Sequence, residues 1–204
     1  MPLKRNNKII GFFGVDNPEV NYDNLSLISS SNFFLSNSLE KREYHDVLER
    51  LSYEDSLTEM NNRNKYEQVL EWLKENKPQK IGVAYIDLNG LKVINDKFGH
   101  KAGDELIKKA AKNISGIFGK KAFRIGGDEF VIIVSNISQD AFQNKMEQVI
   151  SLMKEDEVSI SVGISWADAD VDILSQIHEA DERMYEDKKK YYANSAVDRR
   201  KPVS

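Results

Sequence analysis

The apolar positions of the chain do not keep one period, and each change of period predicts a different element. Lys8 to Asp16 encloses the run Ile9-Ile10-Gly11-Phe12-Phe13-Gly14-Val15, the pattern of a buried strand, which then meets turn chemistry at Asp16-Asn17-Pro18. From about Leu25 to Leu51 no Pro or Gly intervenes, and Ile28, Leu35, Leu39, Val47, Leu48 and Leu51 recur at mostly helical spacings with Glu and Lys between them. This predicts a long helix with an apolar seam, which either pairs with a second copy of itself or packs as a single helix on its own domain. Ser29-Ser30-Ser31 is weakly helix-forming and marks a candidate interruption.

After Asp55 the pattern becomes that of a mixed fold. Tyr66, Val69, Leu70 and Leu73 share one helical face that ends at Lys77-Pro78, and Ile81 to Asp87 reads as a strand. A charged loop and short helix follow, then a helix from about Asp104 carrying Leu106, Ile107, Ala110 and Ile114. Strands at Ala122–Ile125 and Phe130–Val134 flank Gly126-Gly127-Asp128-Glu129, a connection suited to a tight hairpin. Ser138 and Asp140 can cap a helix with Phe142, Met146, Val149, Ile150 and Met153 facing inward. Val158 to Trp166 alternates as a strand, and a last helix runs from about Val171 into Lys188. From residue 81 the order is strand, helix, strand, strand, helix, strand. That is the α+β, ferredoxin-like split βαβ arrangement, an antiparallel sheet with helices on one face, here preceded by the long N-terminal helix.

Composition narrows the chemistry. The 204 residues carry 29 Lys+Arg and 33 Asp+Glu, a net charge of −4, which argues against coating nucleic acid or an anionic membrane. With 40% hydrophobic and 30% charged residues the chain is too apolar for disorder, and its N-terminal apolar run is too short for a membrane helix, so a cytoplasmic address is expected. Cys is absent, which excludes disulfides, zinc–thiolate sites, iron–sulfur clusters and Cys nucleophiles. His45, His100 and His178 are too dispersed for a local ligand pair.

Asp87, Asp128 and Glu129 each lie where a strand ends. In a ferredoxin-like sheet the strand from residue 81 and the hairpin lie side by side, so these carboxylates can share one site. Oxygen ligands without Cys or His suit Mg²⁺ or Mn²⁺. One Asp at a strand end is most simply a turn cap, but three acids beside a Gly pair are not explained that way. Gly126 and Gly127 let a phosphate or base approach the backbone, and Lys92 or Lys188 can meet phosphate oxygens as point charges.

Arg124-Ile125-Gly126-Gly127-Asp128-Glu129-Phe130 resembles the signature of the GGDEF family of diguanylate cyclases. Other segments accompany it in the family's order. Asp55-Ser56-Leu57-Thr58 with Asn62-Arg63 is similar to the family's entry motif, and Asp87 through Asp96 with Gly99-His100 and Gly103-Asp104 to its nucleotide-binding segment. Ala180-Asp181, Met184-Tyr185 and Lys188 resemble its closing helix. The similarity covers roughly residues 52 to 192.

The resemblance implies condensation of two GTP molecules into cyclic di-GMP with release of pyrophosphate, each 3′-hydroxyl attacking an α-phosphate across a homodimer. It implies that Asp87, the carbonyl of Leu88 and Asp128 hold Mg²⁺ or Mn²⁺, with Glu129 a further ligand or the group that helps deprotonate the hydroxyl. Lys92 and Lys188 would steady the β- and γ-phosphates, Gly126 and Gly127 would admit the substrate, and Asn95 and Asp104 would read guanine. A catalytically silent GTP-binding regulatory domain is the alternative. The expected organisation is a remnant of a GAF-like sensor domain at 1–24, a signalling helix at 25–54, the catalytic domain at 55–194 and a tail at 195–204. On that view the signal-receiving part is missing; otherwise residues 1–24 are a short extension. The chain departs from the family at Ile117-Phe118-Gly119-Lys120, where an R-x-x-D product site is common, so feedback inhibition through it is expected to be absent. It departs again after Lys188, where Tyr191-Tyr192-Ala193 replaces a Gly-Arg-Asn run and leaves Lys189 or Lys190 to compensate, and at Gly90 and Leu91, which are smaller than usual beside the base.

Overall fold

The computed structural model describes residues 2–5, 8–12, 25–168 and 172–198. The chain forms two compact units, Met1–Leu51 and Ser52–Ser204. In the first, β1 (Pro2–Arg5) pairs antiparallel with β2 (Lys8–Phe12). The expected single strand is therefore half of a hairpin. Its partner was missed because Pro2-Leu3-Lys4-Arg5 offers only one large apolar residue. The end of the expected strand, the turn at Asp16-Asn17-Pro18 and the GAF-like segment from Phe13 lie outside the described residues.

The long helix α1 (Leu25–Tyr53) has no break at Ser29-Ser30-Ser31. Serine is less helix-favouring than alanine by only about 0.5 kcal/mol, too little to interrupt so long a helix. Along it Phe33, Phe34, Leu39, Leu48 and Leu51 are exposed.

The second unit contains α2 (Arg63–Asn76), β3 (Lys80–Leu88), α3 (Leu91–Phe98), α4 (His100–Phe118), β4 (Ala122–Arg124), β5 (Glu129–Ser135), α5 (Gln139–Glu155), β6 (Ile160–Asp168) and α6 (Ile173–Asp198). The sheet is antiparallel in the order β4-β5-β3-β6, as the split βαβ pattern predicted. Helix α4 starts at His100 rather than near Asp104, because Gly99 at φ 84° ends α3 and opens α4 directly. Helix α6 continues to Asp198, into the stretch expected to be a tail.

Alternation along β3 explains the layers. Ala84, Ile86 and Leu88 face a core shared with Ile107 and Ile114 of α4 and Phe142 and Met146 of α5. Ile81 and Val83 face a second core with Leu73 of α2 and Ile173 and Ala180 of α6. The helices of the split βαβ unit do share one face; α2 and α6, outside that element count, cover the other. Ile150 is 40% exposed rather than inward, because the buried stripe of α5 runs through Phe142, Met146, Val149 and Met153 and Ile150 lies one residue beyond it.

Helix α6 also shields β6, an edge strand. Asp187 Oδ2 accepts from the Val162 N–H at 3.1 Å, and Arg183 donates to the Ile164 carbonyl. The approach needs a glycine, since a Cβ on Gly163 would overlap the Ala180 carbonyl oxygen and the Met184 nitrogen. Gly163→Ala is expected to cost about 3 kcal/mol and lower the melting temperature by roughly 10 °C, which thermal denaturation measures directly.

Candidate active site

The site begins with two backbone hydrogen bonds, one that ties the hairpin to the end of β3 and one that closes the hairpin itself. Leu88 N–H donates to the Asp128 carbonyl at 3.0 Å, and Ile125 N–H donates to the Glu129 carbonyl at 3.0 Å. Asp87 lies directly opposite Glu129 in the ladder. Such side chains leave the same face of the sheet with Cβ atoms about 5 Å apart. That face lies under α6, which supplies Lys188: its Nζ donates to Asp87 Oδ2 at 2.7 Å.

Asp87 is only 3% exposed, and its other oxygen, Oδ1, is buried without a hydrogen-bond partner. Burial pushes its carboxyl above the ordinary carboxylate range, Asp128 pushes the same way, and Lys188 only partly offsets them. Glu129 is raised too, by burial first and then by Asp128 and Asp87. Lys188 is held above the usual lysine range: burial alone would lower it, but the bond to Asp87 outweighs that. Among the described residues no three acidic or histidine side chains already converge on one point. The donor set is nevertheless all oxygen, and the orphaned Asp87 Oδ1 is an open acceptor beside two further carboxylates, which fits a hard divalent cation.

Because the folded state penalises ionised Glu129, Glu129→Gln should stabilise the protein at neutral pH. The sign follows from the raised carboxyl, whose penalty is absent below the ordinary carboxylate range and grows as pH rises through the folded value. Calorimetry should show a gain on the order of 2 °C near neutrality and none in acid.

The two glycines are not equivalent. A Cβ on Gly126 would strike the Glu129 carboxylate, which lies over that backbone, whereas Gly127 faces open space. On α3, Asn95 is half-buried with Oδ1 unpartnered, resting on Gly103 of α4, where a Cβ would overlap it. Asp104, which follows Gly103 on α4, is half-buried as well. Gly103→Ala should displace the Asn95 carboxamide and weaken GTP binding about tenfold with little loss of helix, as calorimetric titration and circular dichroism would show. Lys92 stands exposed in the first turn of α3. Lys189 is exposed and lies over the Tyr185 ring at 4.3 Å. At the position of the absent product motif, Lys120 pairs with Glu54 at 2.7 Å.

The structure gives work to motif residues that carried no role in the sequence reading. Asp55 Oδ1 accepts from Thr58 N–H at 2.9 Å, from Thr58 Oγ1 at 2.7 Å and from Arg124 Nη1 at 2.8 Å. Burial alone would raise Asp55, yet these donors hold it below the ordinary range. Arg124 Nη2 donates to the Gly127 carbonyl at 2.9 Å, and Arg63 Nε to the Ile125 carbonyl at 2.9 Å. The entry motif is thus a brace for the Gly-Gly turn. A cavity of about 330 Å³ lies behind the hairpin against Tyr66, Tyr85 and Ile125, and none of the residues expected to bind nucleotide lines it. Burial there pushes the Tyr66 hydroxyl up to about 12, which keeps it neutral.

Residues 52–193 match the family model described as "Diguanylate cyclase, GGDEF domain". The chain is similar to the diguanylate cyclase DgcP of Escherichia coli (strain K12), 31% identical over 72% of this chain and 48% of that protein. It is 30% identical to the cyclic di-GMP phosphodiesterase PdeR of the same organism, over 72% of this chain and 24% of that protein. The chain therefore spans between a quarter and a half of these curated relatives. Among solved structures, the coiled coil and GGDEF domain of DgcB from Caulobacter crescentus in complex with c-di-GMP shares the fold, with a TM-score of 0.68, 21% identity, and coverage of 81% of this chain and 95% of that one. A microbial GGDEF domain solved with cyclic di-GMP matches at a TM-score of 0.61 and 31% identity, over 70% of this chain and 94% of that one.

Proposed function

The chain belongs to the GGDEF family of diguanylate cyclases, and from that premise we propose that it joins two GTP molecules into cyclic di-GMP. In each half-reaction a 3′-oxygen forms a bond to the α-phosphorus of the other GTP. The bond from that phosphorus to the departing pyrophosphate breaks, and the hydroxyl proton leaves to a base. The observation that carries this reading is Asp87, buried with one oxygen unsatisfied, facing Glu129 in an all-oxygen site.

Asp87, the Leu88 carbonyl, Asp128 and Glu129 are the groups that would hold Mg²⁺ or Mn²⁺. Such an ion supplies charge neutralisation at the reacting phosphoryl and leaving groups. Glu129 is suited to accept the hydroxyl proton, since its raised carboxyl brings it nearer to neutral pH. Lys188, with Lys92, would contact the β- and γ-phosphates. The unpartnered Asn95 Oδ1 and the Asp104 carboxylate accept hydrogen bonds, and guanine offers N1–H and N2–H donors that adenine lacks.

Each domain binds one GTP, so the reaction needs two copies face to face, with two pyrophosphates released per product. The exposed apolar residues of α1, among them Phe33, Leu48 and Leu51, support pairing with a second copy through that helix. No helix among the described residues is long and apolar enough to cross a membrane.

The test is incubation of the purified chain with GTP and Mg²⁺ at high protein concentration, with nucleotides separated and identified by mass. Metal-dependent cyclic di-GMP with matching pyrophosphate is the expected result. GTP binding without product, persisting when dimerisation is forced through a fused coiled coil, would favour the silent regulatory domain.

A further inference from the structure

The ion pair at the centre of the site joins two groups whose proposed duties separate them. Lys188 Nζ lies 2.7 Å from Asp87 Oδ2, the side chains being 27% and 4% exposed, while cation binding needs that carboxylate and phosphate binding needs that ammonium. We propose that Lys188 stands in for the cation on Asp87 while the site is empty, and moves to the substrate's phosphates only when cation and nucleotide are both present. The inference rests on the metal and substrate assignments made above and adds a coupling between them.

The physical case starts with Asp87. A carboxylate this buried, close to Asp128 and Glu129, is costly without a counter-charge, and Lys188 is the cation the fold provides. The ammonium satisfies only Oδ2; Oδ1 remains a buried acceptor without a partner. Half of the carboxylate is thus compensated and half is left without a partner. A divalent ion arriving alone must displace the ammonium or share the carboxylate with it at short range, and the other carboxylate charge acting on Lys188, Asp128, is one the cation also needs. A nucleotide triphosphate provides the ammonium with a separate destination.

The backbone allows this exchange without a rearrangement of α6. The preceding residue, Asp187, is bound to the Val162 N–H of β6, and Gly163 holds α6 close against the strand. Movement is left to the four-carbon stem of Lys188 itself. Cation and nucleotide then bind cooperatively, each raising the other's affinity by the same factor through one side chain.

The experiment measures Mn²⁺ binding by the electron paramagnetic resonance of the free ion, on the full chain, without nucleotide and with 3′-deoxy-GTP, which lacks the attacking hydroxyl. The parent is compared with Lys188→Met and Lys188→Arg, and Lys188→Gln replaces Lys188→Met if the latter fails to fold. Lys188→Met should bind Mn²⁺ alone about tenfold more tightly than the parent, and should lose about tenfold of the affinity that 3′-deoxy-GTP adds. Lys188→Arg, which keeps the charge, should stay near the parent in the absence of nucleotide. A merely structural lysine would weaken both modes together. Equal or weaker Mn²⁺ binding by Lys188→Met alone, with protein-dependent binding still evident, overturns the coupling and leaves the metal site standing. No protein-dependent Mn²⁺ binding by the parent or either variant, with or without nucleotide, overturns the metal assignment and the coupling with it.

Discussion

Replacing Asp128 and Glu129 together with Ala should abolish cyclic di-GMP formation, by at least about a thousandfold, or roughly 4 kcal/mol of transition-state stabilisation, while the fold survives. The contrast follows from how each residue is used. Asp128 contributes to the fold through its backbone carbonyl, which accepts from Leu88 N–H, and Ala keeps that carbonyl. The Glu129 side chain rests on Gly126 and carries a raised carboxyl, so its removal relieves like-charge crowding around Asp87. The double variant should therefore melt no lower than the parent while product disappears from the mass-resolved chromatogram. Activity at the parent's level would remove Asp128 and Glu129 from the reaction, and a cooperative loss of fold would mean that the side chains, not only the backbone, hold the hairpin.

What the sequence made legible follows from which features have a local signature. Strand alternation and the Gly-Gly connection predicted β3, β4, β5 and β6 in the right order, because period and turn chemistry are written in neighbouring residues. The ladder partner of Asp87 was within reach, since adjacency of the two strands in the split βαβ order already implies that carboxylates at their ends meet. The layer formed by α2 and α6 was not, because an element order says nothing about which face of a sheet a helix outside the repeating unit will cover. Ile150 was misplaced for a smaller reason: an apolar residue one position off the stripe has the same local signature as one on it.

Contacts across long sequence distance divided in the same way. The pairing of Lys188 with Asp87 spans 101 positions and has no signal in either neighbourhood. Lys92 and Lys188 were both expected to meet phosphate oxygens, and nothing in either neighbourhood shows that Lys188 is the one that pairs with Asp87 while Lys92 stands exposed on α3. Asp55 and Arg124 were visible as motif residues, but their joint function requires that the turn after α1 and the end of β4 meet in space, which only the folded chain shows.

That brace carries the second large effect. Arg124→Ala should reduce cyclic di-GMP formation about a hundredfold and lower stability by about 2 kcal/mol. Arg124 is an inner member of the assembly, its side chain 11% exposed against 22% for Asp55, and its guanidinium bonds both to Asp55 and to the Gly127 carbonyl. Loss of the guanidinium leaves the Asp55 carboxylate with the Thr58 donors alone and frees the Gly-Gly turn on the side where the substrate is expected. Arg63, which holds the Ile125 carbonyl, would keep one strand end in place, so the expected consequence is a loosened turn rather than an unfolded domain. Asp55→Asn retains an acceptor for Thr58 but removes the charge that orients Arg124, and should produce a smaller loss of both quantities. A double-mutant cycle between the two positions should return a coupling of about 1 to 3 kcal/mol in stability, and a comparable interaction in log activity. If Arg124→Ala lowers the melting temperature while turnover per folded molecule stays at the parent's level, the brace supports the fold without positioning the site. If turnover falls further than the folded fraction, the Asp55–Arg124 pair sets the geometry of the Gly126-Gly127 turn on which Asp128 and Glu129 are carried.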